Sequence, residues 1–85
     1  MIRSVLTLKT TPENAERILE LYRREGILQE SLDLTRQVSS DIAVAADGSG
    51  EVIVIAEWPD EAGYQEWLDH PRRGRTAPEL EARLA

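Results

Sequence analysis

A tryptophan and a histidine in the last third of the sequence could take part in chemistry on a flat aromatic substrate. The indole N–H of Trp67 can donate a hydrogen bond to a substrate oxygen, and its ring can stack on a planar substrate. His70 is the only histidine of the chain, and it can serve as a general base or orient a substrate hydroxyl. Trp67 and His70 are therefore the candidate catalytic residues. The alternative for His70 is a structural role, in which it interacts with the dipole at the C-terminal end of a helix.

Three more aromatic residues are candidates for binding the substrate. Tyr22 and Tyr64 can each place a phenol at the rim of a pocket, and Trp58 can contact a ligand from the end of a strand. Packing is the competing interpretation, since Tyr64, Trp67 and Leu68 share the helix face that would rest on a sheet.

A basic loop follows these residues. Positions 72–75 read Arg-Arg-Gly-Arg. The three guanidinium groups can bind an acidic group of a substrate or carrier, but a loop solvated by water is the interpretation that we favour.

The composition excludes several other kinds of site. With no cysteine and one histidine, neither a disulfide framework nor a zinc site with three or four protein ligands is expected. Sixteen acidic residues against ten basic ones give a net charge of −6, which opposes a nucleic-acid partner. No apolar run approaches the ~20 residues of a membrane span, and the chain does not begin with a signal peptide. We therefore expect a cytoplasmic protein without a metal, a cofactor or a membrane contact.

Alternating side chains predict three strands. They cover residues 2–10, 35–46 and 51–58, and an Asp-Gly-Ser-Gly turn joins the last two into a hairpin. In the second strand, Gln37 falls on the polar side. The third strand is apolar on both faces, so it needs a layer on each side. The helices of so short a chain can cover one face, and we expect a second copy of the protein to cover the other.

Capping residues predict the helices. Thr11 begins a first helix that ends near Gly26, with a short turn carrying the chain onward, and Asp60 begins a second helix that ends at Pro71. A capping box at Thr76 introduces a short terminal helix. Eighty-five residues allow one domain, so we expect residues 1–85 to form a single α+β unit. Its sheet is antiparallel and ferredoxin-like, although the usual fourth strand has no candidate after residue 71.

One segment has a more specific pattern. Residues 56–71 combine an apolar strand ending in Trp58, an acidic helix start, an aromatic residue, Trp67 and a closing His-Pro. This pattern resembles the antibiotic biosynthesis monooxygenase (ABM) family. The Thr-Pro-Glu helix start and the helix end at residues 22–26 agree with it, so the resemblance extends over residues 2–71.

The resemblance implies a dimeric α+β barrel in which two sheets pack face to face. Some members of the family oxidise aromatic polyketide anthrones to quinones without a metal or flavin, and Trp67 matches their helix tryptophan. Those members also use an asparagine about one turn earlier, where this sequence has Gly63 or a neighbouring residue, none of which is asparagine. Haem-degrading members use an asparagine in the first strand, and Thr7 and its neighbours supply none.

The function predicted from these features is a small cofactor-independent monooxygenase acting on an aromatic polyketide. A non-catalytic homodimer, a polyketide cyclase or an accessory protein that binds a hydrophobic metabolite is the alternative, since a fold alone does not fix a function. Haem degradation ranks last.

Overall fold

The computed structural model describes residues 1–84 and contains an antiparallel sheet of three strands with helices on one face. Strand β3 lies between β1 and β2. This arrangement confirms the predicted α+β, ferredoxin-like class, and residues 1–84 contain no fourth strand. None of the described helices is long and apolar enough to cross a membrane. In chain order the elements are β1 (Ile2–Leu8), α1 (Pro12–Glu25), α2 (Ile27–Leu34), β2 (Ser39–Val44), β3 (Val52–Trp58), α3 (Glu61–Leu68) and α4 (Ala77–Glu81).

The hydrophobic core lies between the helices and the central strand. Val52 and Trp58 of β3 are almost completely buried, as are Ile18 and Leu21 of α1. Val52 stands opposite Leu8 of β1, so the two strands present one continuous apolar surface to α1. Burial of these side chains is the main contribution to the stability of the sheet–helix packing.

The starts of α1 and α3 and the end of α1 are fixed by the predicted residues, whereas α3 ends at Leu68, before the predicted end at Pro71. The Thr11 hydroxyl accepts a hydrogen bond from the N–H of Asn14 at 3.3 Å, and the Asp60 carboxylate accepts one from the N–H of Gly63 at 2.8 Å. Gly26 adopts the left-handed conformation, with φ of 59°, and ends α1. The turn expected after Gly26 is a helix in its own right, α2.

The predicted capping box at the start of α4 is wrong. The side chain of Thr76 makes no capping hydrogen bond, because its backbone (φ −102°, ψ 10°) lacks the extended conformation that aims a cap at the helix. The helix α4 nevertheless forms over five residues, with Pro78 near its start.

A tight contact joins the β2–β3 turn to the first helix. Gly50 is buried with φ of +86°, and a Cβ added there would lie 2.5 Å from the backbone nitrogen of Pro12. Only glycine fits both the conformation and the space. Gly48, in the same turn, has φ of +78° and no neighbour within 4 Å of such a Cβ.

The second face of the sheet carries no helix. Alternation along the strands places Val5, Ala43, Ile53 and Ile55 on this surface, which we call the open face. The same face also carries the polar residues Arg3, Thr7, Ser39, Asp41 and Glu57. Val5 is 63% exposed and stands opposite Ile55, in the central strand. The observed strands therefore agree with the prediction that β3 has two apolar faces.

Candidate functional site

A cavity of about 320 Å³ lies between the sheet and the helices. Its floor is the helix-facing side of the strands. Its walls come from all four helices and from the connections between α2 and β2 and between α3 and α4. The lining residues include Ser4, Leu6, Ser40, Val54, Ala56 and Trp58 from the strands; Tyr22, Ile27, Leu28, Ser31, Tyr64, Trp67, Ala77 and Leu80 from the helices; and Gln37, Arg73, Gly74 and Thr76 from the connections.

Four of the five predicted site residues meet in this cavity. Tyr22, Trp58, Tyr64 and Trp67 come from three different elements and all line it. The rings of Trp58 and Tyr64 lie 5.4 Å apart between centroids, with their planes inclined by 46°. Because aromatic faces favour contact with other aromatic rings, this wall suits a planar aromatic ligand.

The two tryptophans differ in how they are held. Trp58 is 1% exposed, and its indole N–H donates to the Ser4 hydroxyl at 3.0 Å. Trp67 is only partly buried, and no hydrogen bond from its indole N–H is found within residues 1–84. The Trp67 N–H therefore remains available to a ligand, whereas that of Trp58 is already used.

His70 lies outside the cavity. It lines a shallow surface depression beside α2, and its Nδ1 accepts a hydrogen bond from the N–H of Arg72 at 3.1 Å. The His70 ring lies 5.7 Å from the ring of Trp67. His70 therefore lies beside Trp67, which lines the cavity, but does not line the cavity itself. The catalytic role of His70 stays a prediction.

Tyr22 supplies a buried phenol from α1. Burial raises the pKa of this phenol above its usual value of 10.0, while the positive charge of Arg73 acts in the opposite direction. At neutral pH the Tyr22 side chain is therefore a neutral hydroxyl that can donate a hydrogen bond into the cavity.

Sequence reasoning missed a buried polar pair in the lining. Gln37 is 8% exposed although it falls on the polar side of the predicted strand, because β2 begins only at Ser39. The Ser31 hydroxyl lies 3.2 Å from the side-chain oxygen of Gln37 and 2.9 Å from the carbonyl of Leu28. No hydrogen bond from the Gln37 amide nitrogen is found in the described chain, so this group can serve a ligand. No spacing in the sequence marks either residue.

The basic loop is anchored by ion pairs and is not simply solvated. Glu30 of α2 binds Arg72 at 3.2 Å and Arg75 at 3.0 Å, and Arg75 also binds Glu25 at 2.9 Å. Hydrogen bonds from Arg75 and Arg72 hold the pKa of the Glu30 carboxyl below its usual range. These contacts hold the segment against the junction of α1 and α2. The preference for a solvated loop is wrong for Arg75, whose side chain is 22% exposed, whereas the Arg72 side chain is 56% exposed and remains solvated.

Among the residues that the structure describes, no side-chain cluster suited to a metal ion is found. Within residues 1–84 there is no group of three or more His, Cys, Asp or Glu side chains that could hold a metal ion.

The fold is similar to that of a solved protein. A crystal structure described as an antibiotic biosynthesis monooxygenase superposes with a TM-score of 0.77 and 23% sequence identity, over 99% of this chain and 86% of the other. No family model matches the sequence, and no curated protein matches it. The likeness shows that this chain has an ABM-like fold, as the resemblance over residues 2–71 predicted.

Proposed function

We propose that this chain, given its ABM-like fold, is a cofactor-independent monooxygenase that oxidises a flat aromatic substrate of the anthrone type to a quinone. The observation that carries the proposal is the cavity of about 320 Å³ with an aromatic wall. Its volume lies within the range of roughly 300–1,000 Å³ that is usual for small-molecule sites. Trp58, Tyr64 and Trp67 contact the ring system, and Tyr22 contacts its polar edge.

The proposed reaction needs only the substrate and oxygen. The activated methylene of the anthrone loses a proton to solvent and forms an enolate, which transfers one electron to O₂. The resulting radical pair combines at the methylene carbon, and loss of water leaves the second carbonyl of the quinone. One O₂ is consumed, with one oxygen atom entering the product and one leaving as water.

The protein's task in this reaction is to hold the ring and stabilise the enolate oxygen. The free indole N–H of Trp67 and the side-chain amide of Gln37 are the donors that we assign to this oxygen. Donors already oriented in a partly enclosed cavity stabilise a developing negative charge more than water does. His70 acts through Trp67, by fixing the orientation of the indole ring at 5.7 Å.

In this proposal the side-chain amide of Gln37 takes the role of the asparagine of the quinone-forming ABM enzymes. Gly63 stands at the matching turn of α3 and is packed against Pro59 and Asp60, so α3 offers no amide side chain there. Gln37 is the one carboxamide among the lining residues of the described chain. It reaches the cavity from the connection between α2 and β2.

Oxygen uptake by purified, metal-free protein with a panel of anthrones tests the proposal. We expect uptake matched by quinone absorbance, and a decrease in kcat of about 100-fold or more in both Trp67→Phe and Gln37→Ala. Leu34→Ser, an exposed position on α2 outside the cavity, is the control and should retain full activity. Uptake at the rate of the uncatalysed reaction, in a sample shown to be folded, would refute the oxygenase.

A non-catalytic binding protein, or a cyclase, is the second candidate. The observation that favours it is Gly63, which replaces a catalytic amide on α3. Tight binding of an aromatic ligand without oxygen uptake would support a binding role, and cyclisation of a poly-β-ketone without oxygen would support a cyclase.

We further propose that the protein is a homodimer joined through the open face. Val5, Ile53 and Ile55 lie next to one another across β1 and β3, and Val5 is 63% exposed. The apolar residues of this face, which are flanked by Asp41 and Thr7, would be buried by a second copy related by two-fold symmetry.

Light scattering at micromolar concentration tests the dimer. We expect twice the chain mass of 9.6 kDa for the wild type and for Leu34→Asp, which adds the same charge on α2. Ile55→Asp should shift the mass toward one chain, because it places a carboxylate in the centre of the interface. A wild-type protein that stays at the mass of one chain would contradict the proposal.

A further inference from the structure

We infer that Arg73 makes the cavity selective for an aromatic ligand that carries a carboxylate. The inference rests on the proposed function in one respect, that the cavity receives a planar aromatic molecule. It adds a chemical class to that molecule and assigns a specificity-determining residue.

The described part of the cavity lining carries a single positive charge and no negative charge. Arg73 is the one charged side chain among the lining residues of the described chain, and no carboxylate lines the cavity. Arg73 is exposed and has no carboxylate partner within residues 1–84, so its positive charge is available to a ligand. A cation with no counterion beside a partly enclosed cavity favours an anionic ligand.

The two arginines that flank Arg73 in the loop are both paired with carboxylates. Arg72 and Arg75 form ion pairs with Glu25 of α1 and Glu30 of α2, at 2.9 to 3.2 Å. No ion pair of Arg73 is found within residues 1–84. Arg72 and Arg75 therefore hold the position of the loop, and Arg73 remains available to the cavity.

The backbone of the loop supports this division. The N–H of Arg73 donates to the carbonyl of His70 at 3.0 Å. Gly74 follows with φ of 82°, a conformation that other residues rarely adopt. This turn separates Arg73 from Arg75 and lets the two neighbouring side chains serve different sites.

Two hydroxyl groups are available to complete the carboxylate site. Tyr22 and Thr76 line the same cavity as Arg73. The Thr76 hydroxyl is not used as a helix cap, and the Tyr22 phenol is protonated at neutral pH. A guanidinium group binds both oxygens of a carboxylate in one plane, and neutral hydroxyls can donate to the remaining lone pairs.

Calorimetric titration with two matched quinones tests the inference. The ligands are an anthraquinone carboxylate and the anthraquinone with a hydroxymethyl group at the same ring position. We expect the wild type to bind the carboxylate about tenfold more tightly or better, as is typical of a hydrogen bond between charged groups. Arg73→Gln should remove this preference while leaving the affinity for the neutral quinone within about twofold, and Arg73→Lys should restore part of it.

Arg83→Gln is the matched control. It removes the same charge from the other arginine of residues 1–84 for which no ion pair is found, and Arg83 is not among the lining residues. The preference should survive in this variant. A wild type that binds both quinones equally, or neither, would overturn the inference, as would a preference retained in Arg73→Gln.

These outcomes are separate from those of the oxygenase test. The quinones are products and consume no oxygen, so the titration measures selectivity alone. A protein that prefers the carboxylate through Arg73 but consumes no oxygen would refute the oxygenase and retain the inference.

Discussion

Replacing each tryptophan with phenylalanine should separate the structural from the functional aromatic residue. Trp58 is 1% exposed, and its N–H donates to Ser4 at 3.0 Å. Truncation of a buried tryptophan to alanine costs about 3–5 kcal/mol, and phenylalanine keeps most of the ring, so we assign about 1–2 kcal/mol to the lost volume. The lost hydrogen bond adds about 1 kcal/mol. Trp58→Phe should therefore lower the free energy of unfolding by about 2–3 kcal/mol.

Trp67→Phe should behave differently. Trp67 is only partly buried, and its N–H has no partner within residues 1–84. Only part of its ring is removed from water, so we expect a loss in unfolding free energy below about 1 kcal/mol. Turnover should nevertheless decrease by about 100-fold or more, because the N–H donates to the enolate oxygen in the proposed reaction.

Thermal unfolding followed by far-ultraviolet circular dichroism measures the difference. For a domain of this size each kcal/mol shifts Tm by about 4–8 °C, so Tm should fall by about 8–24 °C in Trp58→Phe and by less than about 8 °C in Trp67→Phe. All samples must have the same protein concentration, since the Tm of a dimer depends on it. Equal losses of Tm in the two variants would show that Trp67 is a core residue and would refute the reasoning.

Two further predictions concern the turn and the basic loop. Gly50→Ala should cost about 3 kcal/mol or more, because its Cβ would lie 2.5 Å from the Pro12 nitrogen in addition to the strain of a positive φ, whereas Gly48→Ala carries the strain alone, about 1 kcal/mol. Urea unfolding of both variants measures the two costs, and similar values would contradict the packing of the turn on α1. The depressed pKa of Glu30 means that its ion pairs stabilise the fold above its unfolded pKa of about 4.3, and that this contribution is lost as the pH falls through the lower folded value. The excess stability of the wild type over Glu30→Gln should therefore be constant near neutral pH and shrink below about pH 4. Urea titrations at several pH values would show this, and an excess that does not change with pH would disprove it.

Much of the fold could be predicted because its signals are local. Alternating apolar residues predicted the three strands, and Thr11, Gly26 and Asp60 occupy the helix ends that their chemistry favours. Thr76 is the exception. Its capping box has the right residue types, but the backbone there is held by the preceding loop and never reaches the capping conformation.

The aromatic part of the site could also be foreseen. Tyr64 and Trp67 share a helix face by spacing, and Trp58 ends the strand on which that helix packs. Helical and strand periodicity therefore suffice to bring these rings to one side of the sheet. Tyr22 joins them because the apolar stripe of α1 has to cover the same strands.

By itself the sequence determined the order of elements, the two-sided central strand and the aromatic residues that meet in the cavity, because each depends on spacing within one helix or strand. Only the tertiary structure decided the positions of His70, Gln37 and Arg73. His70 lies outside the cavity, Gln37 is buried beside Ser31, and Arg73 lines the cavity while its neighbours bind α1 and α2. All three stand in connections between elements, where the chain has no periodicity. Their places depend on contacts with residues distant in the sequence, such as the pairing of Arg72 with Glu30.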